Sequence, residues 1–370
     1  MSNQRIYLIG AGRIARTHAD AIHTLPDAEL ISLSVAEPNP RVLADFSAHY
    51  PQARTFDDAQ TMLAEPAQDT DIVIVAAPPF VHYELTCAAL ATGRHVLCEK
   101  PLAMDRAQAR QMLATARAHN RLLGCCSVRF LHWPPAEEVR RLLNEGALGE
   151  IYHVHFISRE QRNRPGIEYQ PGTLWFLDAS KSGGGTLMDR APYEFTVLND
   201  LFQPERVDVL AAWTANPTTA LHLPPEAVFD VEQQAGAMLR YTLAGAKTFM
   251  LSYERASCSH SDEQSLIEIE GLQGTLRWNW PMPRAYLTLT HNYDRAGMIE
   301  SKTLSFPHPG PDVMKLGEKP LTYFYRRTLG EPSSALVNEQ ALFNFSCVRG
   351  IYDCAQSGQP QTIVWGEPTG

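Results

Sequence analysis

The chain has 370 residues, 44% of them hydrophobic and 20% charged, with a net charge of -9. That length exceeds one ordinary hydrophobic core and predicts two domains in a soluble globular protein. The acidic balance, with no clustered positive charge and no basic amphipathic run, argues against a nucleic-acid or membrane partner. No run of about 18 apolar residues offers a membrane span. The N-terminus shows no signal peptide, because Ile6–Ile9 is short and leads straight into glycines. Seven cysteines without a framework spacing fit a reducing cytoplasm, the expected location.

Strand and helix patterns alternate through the first third. Arg5–Gly10 reads as a strand, Arg13–Leu25 as a helix and Leu30–Ala36 as a second strand. Asp71–Ala76 is a near-continuous apolar run, as expected of a strand buried on both faces. Val81–Ala91 is helical, Arg94–Cys98 a short strand, Asp105–His119 a helix capped by Asp105, and Leu122–Ser127 a strand. Repeated βα units predict an α/β fold: a doubly wound parallel sheet of the Rossmann type over residues 1–126.

Ligands of such a sheet sit at the carboxyl ends of its strands. Gly10 and Gly12 follow the first strand, where absent side chains permit a tight turn and close approach of a pyrophosphate to a helix N-terminus. Arg13 and Ile14 begin that helix, and Ala15 holds the third, small position. Glu37 ends the second strand, where a carboxylate can accept from a ribose diol and would repel a 2′-phosphate. NAD is therefore the expected cofactor. Arg13 and Arg41 leave NADP open. Pro78, Pro79 and His82 follow the Asp71–Ala76 strand. Pro78 can shape the loop against nicotinamide, and His82 either touches the cofactor or caps a helix.

Cys98-Glu99-Lys100-Pro101 closes a later strand. Proline restricts the residue before it, so Lys100 is aimed rather than free. An ammonium beside the reacting hydroxyl would stabilise alkoxide character. Glu99 pairs with this lysine, meets a backbone group or lines the cofactor site.

These stretches resemble the glucose-fructose oxidoreductase, inositol dehydrogenase and rhizopine-catabolism (Gfo/Idh/MocA) family of NAD(P)-dependent oxidoreductases. The resemblance runs through IGAGRIARTHADAI (9–22), VAEPNP (35–40), APPFVHYELTCAALATGRHVLCEKPLA (77–103), VRFLHW (128–133), GALGEIYHV (146–154) and SGGGTLMDRAPYEFTVLNDLF (182–202). It implies a second α/β domain with an open, mostly antiparallel sheet, here residues 127–334. It implies a late helix, about 335–357, returning to the first domain, with 358–370 as a tail. The family's essential lysine falls on Lys100 and its aspartate on Asp189. Many members carry histidine four residues after that aspartate. This chain has Tyr193, as do members resembling glucose-fructose oxidoreductase and dihydrodiol dehydrogenase.

The expected activity is hydride transfer between nicotinamide and a hydroxyl or carbonyl carbon of a sugar, polyol or related compound, a task of carbohydrate metabolism. Gly183-Gly184-Gly185 precedes a helix that Asp189 is expected to start, with Pro192 in its first turn and Tyr193 on the same face. Tyr193 is read as general acid/base and Lys100 as the cation that lowers its pKa. Asp189 holds a substrate hydroxyl, orients Lys100 or merely caps the helix. Arg129 and Trp175 complete the candidate substrate contacts, although Trp175 and Phe176 fit a core equally. A cofactor-bound sensor without turnover, like a galactose-pathway repressor that resembles the family, is the alternative. Retention of Lys100, Asp189 and Tyr193 favours the enzyme.

In the second domain Ile151–Ser158, Val207–Thr214, Gly236–Tyr241, Thr248–Arg255, Ser265–Gly271 and Gly274–Trp280 read as strands of a sheet with one wet face. Such a face suits a homodimer or homotetramer, as in the family. Arg159, Arg162 and Arg164 form a basic cluster, either a solvated loop or a greeting for an acidic sugar. Trp278 and Trp280 share one face and suit sheet packing or a dimer contact. His153 with His155, and Cys258 with His260, make no four-ligand set, so no metal is expected. Asn292–Thr322, rich in proline and glycine, reads as a long loop over the cleft or along a partner subunit.

Overall fold

The computed structural model describes residues 4–161, 173–217, 227–280, 287–306 and 314–366. They form two compact units, one of residues up to 129 with 314–345, the other of residues 130–313 with 346–367. The long helix Glu339–Ser357 contributes its first residues to the first unit and the remainder to the second.

The strands in chain order begin with β1 (Arg5–Ile9), β2 (Ser32–Ala36), β3 (Arg54–Phe56), β4 (Ile72–Val75), β5 (His95–Cys98) and β6 (Leu123–Cys125). There follow β7 (Ile151–Arg159), β8 (Arg206–Ala215), β9 (Gln234–Thr242), β10 (Thr248–Ala256), β11 (Gln264–Gly271), β12 (Gly274–Trp278), β13 (Leu287–Arg295) and β14 (Met298–Phe306), then β15 (Leu336–Val337) and β16 (Gln361–Val364).

The first unit is a seven-stranded sheet in the order β15-β6-β5-β4-β1-β2-β3, parallel except for β15. Strand order reverses between β1 and β4, which creates the crevice where doubly wound sheets bind ligands. All four residues of β4 are fully buried, as their unbroken apolar run requires. Two short helices and an edge strand escape the sequence reading. Asn39 caps Pro40–His49 and Asp58 caps Ala59–Leu63, through bonds to Arg41 and Thr61 amides. β3 is three residues long and largely exposed, so it carries no alternation.

The second unit is a nine-stranded sheet in the order β14-β13-β12-β11-β7-β10-β9-β8-β16. Only β7 and β10 pair in parallel. Three expectations need correction. Asn292–Thr322 is not one long loop: its described residues hold the last four residues of β13, all of β14 and the start of helix Lys319–Thr328. β14 is an edge strand wet on both faces, so burial imposes no alternation on its sequence. Residues 358–370 are not simply a tail, because β16 pairs with β8. Helix Glu339–Ser357 starts later than 335, since Leu336 and Val337 pair with β6. Trp280 is buried against Phe130 and Phe156, a packing role. Arg159 pairs with Glu254 of β10, whereas Arg162 and Arg164 lie outside the described residues.

A buried charge closes the amino-terminal side of the first sheet. Arg94 is fully buried, and its guanidinium donates to Asp71, to the carbonyls of Leu63 and Glu65 and to Thr92. Asp71 also takes Arg5 at 2.6 Å. Asp71→Ala leaves that guanidinium buried without its carboxylate, so a loss of about 3–5 kcal/mol is expected in urea unfolding. A loss below about 1 kcal/mol, the range of exposed pairs, would contradict this account.

Candidate active site

The candidate residues fall in both units. In the first, Gly10 follows β1 with φ 102°, and a Cβ there would sit 2.7 Å from the Ala76 carbonyl oxygen. Glycine is required by that close approach between β1 and the end of β4. Gly12 differs. Its φ is -71°, and a Cβ would meet nothing within 4 Å. Its missing side chain relieves no clash and leaves open room at the N-terminus of helix Arg13–Ile22, which has no side-chain cap. Ala15 is fully buried beneath it, and Ile14 packs partly against the core. Arg13 is exposed.

Glu37 reaches the same turn. One carboxylate oxygen accepts from the Ala11 amide at 3.1 Å and the other from Asn39 at 2.9 Å. The residues present therefore fit a dinucleotide: a glycine cradle, an open helix N-terminus and a half-buried acid at the end of β2.

At the end of β5, Glu99 is buried. One oxygen takes His18 Nε2 at 2.9 Å and Arg129 at 2.8 Å, and the other accepts from the Lys100 amide at 3.0 Å. Burial by itself would raise the Glu99 pKa. The Arg129 charge, the His18 hydrogen bond and the Lys100 charge outweigh it and hold the carboxyl well below its usual range. Lys100 is half-buried, and its bond to Pro101 is cis. His82 is fully buried between two carbonyls, Nδ1 to Pro101 at 2.7 Å and Nε2 to Ala77 at 2.8 Å. It ties the turn after Lys100 to the loop after β4, where Pro78 precedes a 3-10 turn. Burial lowers its pKa despite those acceptors.

In the second unit, Asp189 and Tyr193 lie on helix Thr186–Phe202. Two expectations are corrected here. Asp189 does not start this helix but sits in its first turn after Gly185, and Pro192 is inside the helix rather than in that turn. The glycines before it displace the start toward the N-terminus. Tyr193 is buried edge-on to Phe130, with ring centroids 5.3 Å apart. Asp189 pairs with Arg190 at 3.3 Å. Burial would lower the Arg190 pKa, but Asp189, Glu160, Tyr193 and Glu194 raise it. Arg190 and Tyr193 therefore interact electrostatically. Glu194 is fully buried, ion-paired to Arg255 at 3.1 Å and accepting from Tyr253. Its pKa is raised by burial against the pull of both partners. Trp175 stacks on Phe176 at 3.9 Å, both half-buried.

Residues 4–126 match the model of an oxidoreductase family with an NAD-binding Rossmann fold, and residues 136–277 match the GFO/IDH/MocA C-terminal domain. The chain belongs to the GFO/IDH/MocA family. D-Glucoside 3-dehydrogenase of Escherichia coli K12 is 36% identical over 188 residues, covering 50% of each chain. The chain thus spans about half the length of that relative. Inositol 2-dehydrogenase of Rhizobium meliloti 1021 is 27% identical over 273 residues, 74% of each chain. Levoglucosan dehydrogenase in complex with NADH shares the fold at TM-score 0.76 and 20% identity, over 98% of this chain and 99% of that one. The first unit of this family member is an NAD-binding Rossmann domain.

Three residues in contact with, or next to, candidate residues of this GFO/IDH/MocA member are not marked by the sequence. His18 stands eight residues after Gly10, a helical position whose partner Glu99 is 81 residues away. Arg190 adjoins Asp189, and Glu194 adjoins Tyr193, but nothing in their spacing distinguishes them from surface charges. Among the described residues, His18, Glu99 and Cys126 bring potential metal-ligand atoms within 4.8 Å of one another. Arg129 occupies the same carboxylate oxygen as His18, and burial holds the Cys126 thiol protonated, so an ion-pair network describes this group. None of the seven cysteines, all among the described residues, forms a disulfide. No described helix is long and apolar enough to cross a membrane.

Because the folded Glu99 pKa lies below that of an unfolded glutamate, about 4.3, its stabilisation is complete above that pH and fades as pH falls toward the folded value. Glu99→Gln should therefore cost about 3 kcal/mol at pH 7 and progressively less below pH ~4.3. Thermal melts of both proteins across that range check it, and a pH-independent difference would refute the assignment.

Proposed function

We propose that the chain is an NAD-dependent dehydrogenase that moves a hydride between nicotinamide and a hydroxyl-bearing carbon of a sugar, polyol or related compound. One observation carries the reading. The glycine turn after β1, Glu37 after β2, Pro78 after β4 and Lys100 after β5 all stand at carboxyl ends of neighbouring strands around one switch point. A dinucleotide cradle with an aimed ammonium beside it is an arrangement for redox chemistry at a carbinol carbon. The curated relatives support the substrate class by name: a glucoside and an inositol dehydrogenase.

In this reading Gly10, Gly12, Arg13, Ile14, Glu37 and Pro78 hold the cofactor, with Glu37 selecting NAD. Bound NAD would supply the hydride acceptor. Lys100 stabilises alkoxide character on the substrate oxygen as the hydride departs. Tyr193 takes the hydroxyl proton, directly or through water, and Arg190 helps it do so by favouring the phenolate. Asp189 holds a substrate hydroxyl, and Trp175 offers a wall to the ring. Glu99 and His82 act through Lys100 rather than on substrate, since they bond the turn that carries it, and one guanidinium nitrogen of Arg129 reaches that turn through Glu99.

The second unit supports self-association through the open sheet face. Trp213 lies over Gly236 and is 45% exposed, and Met238 beside it is 39% exposed. A homodimer covering this face predicts that Trp213→Arg lowers the sedimentation coefficient to that of a monomer. A parent protein already monomeric would end the proposal.

The reaction is tested with NAD or NADP and a panel of aldoses, polyols and sugar acids, following reduced nicotinamide by absorbance. Turnover should favour NAD, vanish in Lys100→Ala and fall at least about 100-fold in Tyr193→Phe. Full turnover in Tyr193→Phe would remove that residue from the mechanism. Tight NAD binding without turnover on any substrate would move the reading to a cofactor-bound sensor.

A further inference from the structure

The helix that presents Asp189 and Tyr193 begins without a side-chain cap of its own, since Gly185 occupies the N-cap position. Four backbone N–H groups at any helix start need partners from elsewhere. Here two residues remote in sequence supply all of them. The Glu232 carboxylate accepts from Gly185 at 2.7 Å with one oxygen and from Leu187 at 2.9 Å with the other. The Glu232 carbonyl accepts from Thr186 at 3.1 Å. The Tyr352 hydroxyl accepts from Met188 at 3.0 Å and donates to Glu232 at 2.9 Å. The next amide, Asp189, makes the first bond within the helix, to Gly185.

The same two residues explain the glycines. A Cβ on Gly185 would overlap the Glu232 carbonyl oxygen, and one on Gly184 would overlap the Tyr352 hydroxyl. Arg349 adds support, stacking over the Tyr352 ring at 5.1 Å and donating to the Gly183 carbonyl at 3.4 Å. The external hold matters because the helix is weak where it carries its chemistry. Pro192 has no N–H, so the helical bond it would have given the Met188 carbonyl is missing between Asp189 and Tyr193.

We propose that Glu232 and Tyr352 are positioning residues for the reaction, fixing the placement of Asp189 and Tyr193 through the start of their helix. The inference rests on the reading of Tyr193 and Asp189 as residues of the reacting site. Neither Glu232 nor Tyr352 needs to touch substrate. Their effect is on where the phenol oxygen stands, and a displacement of order 1 Å at a reacting group costs up to ~100-fold in rate.

The test uses full-length Tyr352→Phe and Glu232→Gln, both close in shape to the parent, with NAD and the sugar or polyol of highest turnover in the panel above. The expected result is a fall in kcat of about 10-fold or more, with NAD affinity unchanged and the pH profile of kcat displaced. A role confined to folding would lower the melting temperature or the active fraction and leave that profile where it was. Parental kcat and pH profile in both variants overturn the inference, as does a fall in kcat without displacement of the profile. If Tyr193→Phe loses turnover while these two variants keep it, only the positioning role fails. If Tyr193→Phe keeps turnover, the reading of Tyr193 fails first and the inference with it. Absence of turnover in the parent protein counts against both.

Discussion

A buried carboxylate must be paired or it will not stay charged, and Glu99 is where this constraint organises the first unit. Its partners come from three separated places in the chain: His18 on the first helix, the Lys100 amide next door, and Arg129 just after β6. Each satisfies part of the carboxylate, and together they hold it ionised against its desolvation. The consequence is mechanical as well as electrostatic. Lys100 follows the residue that is most tightly held, and His82 grips the carbonyl on its other side through Pro101. A lysine side chain is long and flexible, so aiming it requires fixing its main chain on both flanks.

The second unit solves a similar problem by different means. Its helix has glycine where a cap should be and proline where a backbone donor should be. In the proposed reaction Tyr193 needs one position and nearby positive charge. Glu232 and Tyr352 hold the start of the helix, and Arg190 beside Asp189 carries the charge, itself among acids. Glu194 and Arg255 add a buried ion pair behind the tyrosine. A tyrosine, with an ordinary pKa near 10, depends on such surroundings if it is to accept a proton near neutral pH.

Much of the fold was legible in the chain because its signals are local. β4 announces itself as an unbroken apolar run, and Asp105 caps its helix by bonding the Gln108 amide, as its position before an amphipathic stretch implies. The failures have two causes. β3 and β14 lie at sheet edges and bury little, so hydrophobic periodicity has nothing to report. The helix at Thr186 was misplaced by three residues because its cap is not in its own sequence. Glu232 and Tyr352 lie 47 and 164 residues from the amides they bind.

The family and the dinucleotide cradle could be read from the chain alone, as could Lys100, Asp189 and Tyr193 as candidates for the reacting site. Each belongs to a short motif whose spacing is set by a single turn, strand end or helix face. Tertiary structure alone decided the roles of Glu99, His82 and Arg129, which hold Lys100's turn, and brought His18, Arg190, Glu232 and Tyr352 into the account. These are residues whose meaning lies in a partner, and most of those partners are distant along the chain. A lone histidine or glutamate carries no mark of what it will meet. Only folding supplies the burial that makes an unpaired charge costly, and that cost is what distinguishes a working ion pair from a surface one.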